Sequence, residues 1–77
     1  MKIVYVEWID AASYEGWTEK EQVDSLENVI CTNVGVLIRQ DDEITVLAAG
    51  LSPDRYGDLW TIPTRCIKSM ETLRELK

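Results

Sequence analysis

The side chains that run most enzymes are scarce in this sequence. It has no histidine, so it has no imidazole general base and no histidine metal ligand. Its two cysteines, Cys31 and Cys66, lie too far apart in the chain to form a zinc-binding pair. Arg65 precedes Cys66, and its charge would favour a thiolate. A buried, inert thiol accounts for Cys66 more simply. Gly16, Gly35, Gly50 and Gly57 are scattered and make no phosphate-binding loop. No nucleophile-elbow pattern is present. Asp41-Asp42-Glu43 puts three carboxylates side by side but lacks calcium-loop spacing, and reads as a solvated hairpin turn. A carboxylate-dependent hydrolase would have to use Asp10, near Trp8 or Trp17. A loop-entry aspartate that accepts backbone hydrogen bonds is the simpler reading. The expectation is a protein with no catalytic residue, no metal and no cofactor.

The aromatic residues are better candidates for a site. Trp8 and Trp17 flank a long loop, Tyr14 lies within it, Tyr56 follows Arg55 in a second loop, and Trp60 opens a later strand. Trp, Tyr and Arg are the residues enriched at the centres of protein interfaces. Trp8 and Trp60 also fit a core, whereas loop positions such as Tyr14 and Tyr56 do not need one.

Charge sharpens this reading. The chain of 77 residues has a net charge of −6. Glu7, Asp10, Glu15, Glu19, Glu21, Asp24 and Glu27 face only Lys20 in their stretch, so that stretch holds the whole excess. The remainder is neutral. Such a surface repels phosphate backbones and anionic membranes. It suits a protein partner with a basic surface, and it also serves as a solubilising loop.

The length allows one domain, residues 1–77. The opening MKIVYVEWID turns acidic too soon for a signal peptide, and no apolar run reaches the roughly 20 residues of a membrane span. With few cysteines, the expected compartment is the cytoplasm, with reduced thiols. Residues 2–9, 29–39 and 43–51 are rich in β-branched types and read as strands. In the first, Val4, Val6 and Trp8 share one face and Ile3, Tyr5, Glu7 and Ile9 the other. In the second, Ile30, Thr32, Val34, Val36 and Ile38 share a face, and Gly35 marks a bulge, a bend or a close backbone approach. In the third, both faces are apolar, so Leu47 and Ala49 on an outer face suggest a homodimer or higher homo-oligomer. Thr18 to Glu21 has capping-box spacing, which predicts a helical turn ending near Ser25 and anchored by Trp17, Val23 and Leu26. Residues 59–62 read as a fourth strand stopped by Pro63, residues 64–66 as a single turn, and residues 67–70 as a last strand. Met70, Leu73 and Leu76 give the tail, residues 69–77, a helical spacing, or leave it frayed. The fold class expected is mainly β: a small five-stranded Src-homology-3-like barrel with a long first loop containing a short helix.

The ordered set VEWIDA, Trp17, NVGVLI, ITVLAAGL and IPTRCI resembles a group of small phage and prophage proteins. Their pattern is V-x-W-x-D, a loop Trp, V-G-x-L, L-A and I-P-x-x-x-I, here spanning residues 4–67. The resemblance implies a viral or prophage origin and a barrel fold, but no particular activity. The function expected is a non-catalytic binding module that engages, and blocks, a host protein. Its binding residues would be Tyr14, Trp17, Glu19, Glu21, Asp24, Arg55, Tyr56 and Trp60. Two alternatives stay open. One is a sponge that stacks a nucleotide-like signal on Trp or Tyr with Arg39, Arg55 or Arg65 on its charge. The other is a virion or assembly component.

Overall fold

The computed structural model describes all 77 residues. Five antiparallel strands form one sheet in the order β4-β3-β2-β1-β5. They are β1 (Lys2–Asp10), β2 (Val29–Gln40), β3 (Ile44–Leu51), β4 (Tyr56–Pro63) and β5 (Ile67–Glu75). The only helical pieces are two short 3-10 turns, Lys20–Ser25 and Thr64–Cys66. β4 and β5 end the sheet on opposite sides, so it does not close.

β2 joins the two halves of the sheet. Its residues Val29–Val36 pair with β1, and Val36–Gln40 with β3. Gly35 sits at the changeover. A Cβ there would lie 2.9 Å from the carbonyl oxygen of Ala48 and 3.3 Å from the Leu47 Cβ. Of the three options the sequence leaves at Gly35, close backbone approach is the one found. Because Gly35 faces inward opposite Val4, strand alternation sends Asn33 and Cys31 inward too, opposite Val6 and Trp8. Ile30, Thr32 and Val34 therefore face outward.

Val4, Val6, Leu47 and Ile62 form the core, with Trp8, Leu37, Ile67 and Met70 packed against it. Leu47 is thus an inner residue, 2% exposed. Its assignment to an outer face fails because it pairs with Leu37 and Trp60 on the covered side. Thr45 is the one fully buried polar side chain, and a hydroxyl relay satisfies it. Gln40 Nε2 donates to Thr45 Oγ1 at 3.0 Å, Thr45 Oγ1 lies 2.9 Å from Thr64 Oγ1, and Thr64 Oγ1 donates to the Asp41 carbonyl at 2.7 Å. The relay ties the turn before β5 to the β2–β3 hairpin.

That hairpin turn is built by Asp41. Its carboxylate accepts from the backbone N–H of Glu43 at 2.9 Å and of Ile44 at 2.8 Å, and from Arg39 Nη2 at 2.7 Å. The Ile44 N–H, then Arg39, then the Glu43 N–H hold the Asp41 carboxyl at about 2, below its ordinary 3.8.

Two expectations need correction here. Residues 69–77 are neither helical nor frayed: β5 runs to Glu75 and pairs with β1, Lys2 opposite Glu75. A helix of two turns gains little alone, whereas the open side of β1 offers a full ladder of backbone partners. β4 likewise starts at Tyr56, earlier than its apolar residues indicate, because Tyr56 and Gly57 pair with Leu51 and Gly50.

Candidate functional site

The long first loop, residues 11–28, leaves the sheet at the last β1–β2 pair, Asp10 opposite Val29. Asp10 starts it as a loop-entry residue, its Oδ1 accepting from the Ala11 N–H at 2.8 Å. The chain reverses at Gly16, φ 81°, a backbone conformation that suits glycine. The expected turn follows at Lys20–Ser25, as a 3-10 turn. Its N-cap is Glu19 and no side chain caps it, so the Thr18 capping box is not made.

Nothing docks this loop on the sheet. Every residue from Asp10 to Ile30 is exposed, and the 3-10 turn has no buried residue. Trp17 is 103% exposed, so it is no anchor. Val23 and Leu26 are exposed as well. The loop is better described as an arm. Two ion pairs occur in the molecule, Arg39–Asp41 and Arg55–Asp54, and neither touches the arm. Glu19, Glu21 and Asp24 therefore carry no ion pair, on the same arm as Trp17. At the base of the arm, Tyr14, Leu26 and Val29 line an open cleft of about 440 Å³ with Asp10 and Glu27.

Arg55 and Tyr56 belong to a different place. They line an open depression of about 420 Å³ with Gly50, Leu51, Ser52 and Gly57, and Met1 borders the adjoining hollow. Met1 and Asp10 lie at opposite ends of β1, which spans roughly 26 Å at the usual rise per residue. The arm and the Tyr56 loop thus do not share one groove. Ser52 sets the loop by accepting from the Arg55 N–H at 3.0 Å. Trp60, opposite Leu47 on β4, is 52% exposed and belongs to neither group. Trp8 is half-buried and donates from Nε1 to Asn33 Oδ1 at 2.7 Å, a structural bond.

Cys31 and Cys66 are free thiols. No group of three Cys, Asp or Glu side chains is gathered as a metal-binding set. No helix is long and apolar enough to cross a membrane. Sequence reasoning missed the exposure of Ile30 and Val34, 43% and 56%. It also missed Asp58, which has φ 47° inside β4. No signal in the sequence marks Asp58. The parity argument from Gly35 would have placed Ile30 and Val34 on the outer face.

No family model, curated protein or solved structure matches this chain.

Proposed function

We propose that this protein is a non-catalytic binding module of phage type, and that its arm engages and blocks a host protein with a basic surface in the host cytoplasm. The observation behind this reading is Trp17, wholly exposed on an arm whose acids have no ion-pair partners. A free surface gains nothing from such a Trp, whereas a partner that buries it gains a large, rigid contact. The surrounding carboxylates steer a basic partner towards it and raise the association rate. The strand order and the single turn before β5 support a Src-homology-3-like small barrel as the scaffold, left open between β4 and β5.

Affinity capture from host lysate, read by mass spectrometry and then by titration with the captured protein, tests this reading. Trp17→Ala should cost about 2 kcal/mol of binding, roughly thirtyfold. Glu19, Glu21 and Asp24 changed together to Lys should slow association and abolish its salt dependence. Capture unchanged in both variants would remove the arm as the interface.

A second reading draws on the other aromatic group. Tyr56 stands beside Arg55 at one depression, which suits stacking and charge contact with a nucleotide-like signal. Titration of a nucleotide panel, read by intrinsic fluorescence and melting temperature, distinguishes this sponge from the arm-based module. A Tyr56→Ala chain should lose any response, and no response in the wild type would discard the sponge.

A further inference from the structure

Lys20 is the only Lys or Arg between Lys2 and Arg39, and it sits where the backbone has least to hold it. Residues 11–28 are exposed throughout and take part in no strand pair. From Ala12 to Thr18 no backbone group bonds to another backbone group. In the turn that begins at Lys20, the Gln22 N–H donates to the Glu19 carbonyl at 3.0 Å and the Leu26 N–H to the Val23 carbonyl at 3.1 Å. The turn buries no residue. A short helical turn without docking opens at little cost, and exposed loop tips are where proteases nick folded chains.

The bases of the body are held differently. Lys2, Lys68 and Arg74 stand in β1 and β5, which pair with each other. Arg39 stands in β2 opposite Val46. Arg65 lies in the Thr64–Cys66 turn, where the Thr64 N–H donates to the Glu43 carbonyl at 3.1 Å. Arg55 closes the loop 52–55, clasped by the Ser52 N–H on the Arg55 carbonyl at 2.9 Å. An extended peptide several residues long is what a strand-binding cleft takes. The body can supply one around these bases only by giving up sheet pairs, whereas the arm gives up none.

We propose that the arm is a proteolytic processing site, that a protease requiring a basic residue cuts it at Lys20–Glu21, and that the processed protein stays one folded body in two pieces. In the cut, water adds across the amide. Its oxygen completes a carboxylate on Lys20, and the Glu21 nitrogen leaves as an ammonium group. β1 then has no covalent link to the other strands, yet it lies between β2 and β5 and is paired with both. Val4 and Val6 of the first piece share one core with Leu47 and Ile62 of the second. None of these contacts uses a residue of the arm. Assembly of the two pieces becomes bimolecular, so their stability gains a dependence on concentration. The cut also parts Trp17 from Glu21 and Asp24, and so divides the surface proposed to bind a host protein. The processing itself stands whether or not the arm binds one.

Brief digestion of the folded full chain, read by mass spectrometry, tests this. With trypsin, whose specificity pocket carries a carboxylate, residues 1–20 and 21–77 should be the first products. A glutamate-specific protease should also make its first cut within residues 11–28, which separates access from sequence preference. The trypsin-nicked pair should elute as one species near the 8.8 kDa of the intact chain and keep its circular dichroism spectrum. That holds at about 100 μM, roughly tenfold below the millimolar effective concentration of a short link. Diluted about a hundredfold, the pair should melt more than about 10 °C lower, while the intact chain melts unchanged. Lys20→Gln, at an exposed position, should abolish the trypsin nick and leave the chain whole until it unfolds. A first cut outside the arm by either protease, no cut short of unfolding, pieces that separate at the higher concentration, or a nicked pair whose melting ignores dilution would each overturn the proposal.

Discussion

The two ends of β1 obey different physics. Around Val4 and Val6 the strand is paired on both sides, by β2 and β5, and its inner face is covered by Leu47 and Ile62. Beyond Asp10 the chain holds two aromatic residues, several aliphatic ones and most of the unbalanced charge, and buries none of them. The two regions differ in apolar content, six of the nine β1 residues against six of the eighteen in residues 11–28. They differ also in whether the backbone has partners. In the body, ladder hydrogen bonds fix the side chains in register, so apolar residues meet. In the arm, only a short 3-10 turn orders the chain, and Val23, Leu26 and Trp17 all stay exposed. Folding is concentrated in the body, and the arm adds no residue to its core.

That division can be tested through stability. Ile62→Ala removes a side chain that is 0% exposed from a four-residue core and should cost about 2–5 kcal/mol in urea unfolding, much of the stability of a domain this size. Gly35→Ala drives a methyl against the Ala48 carbonyl and should cost about 1–3 kcal/mol, the loss showing in both half-sheets because β2 belongs to both. Thr45→Val keeps the shape but cuts the relay between Gln40 and Thr64. About 1 kcal/mol should be lost.

The acid limb of the stability curve tests the hairpin turn. Asp41 has a folded pKa of about 2, below its ordinary 3.8, so its ionised form favours the fold. Its contribution is complete above pH 4 or so and fades as the pH falls through about 2. Asp41→Asn should flatten that part of an acid titration followed by circular dichroism. Trp17→Ala should have the smallest effect on unfolding, within about 0.5 kcal/mol. A larger loss would mean that the arm packs on the body and that the contrast between the regions is false.

How much of this was legible in the sequence depends on how local the cause was. β1, β2 and β3 follow from alternating β-branched residues, and the Thr64–Cys66 turn from Pro63, because neighbours in the chain decide both. β5 was not legible past Met70, since its partner is β1 at the other end of the chain. The clustering of acids around Trp17 was plain, being a property of order alone. That Trp17 docks on nothing, and that Tyr56 lies far from Tyr14, depend on hairpin register and loop direction. Leu47 was misassigned for a related reason. Both faces of β3 are apolar, so alternation could not say which one the core would take.

The pair Asp10–Val29 bounds an arm on which no core residue depends. Residues 11–28 take part in no strand pair, so their exchange for another segment should leave the sheet intact. In evolutionary terms residues 11–28 are free to vary without touching the core, while the body stays under the slower constraint of folding. In the laboratory the same boundary makes the protein a display scaffold, able to accept a foreign loop without redesign of its core.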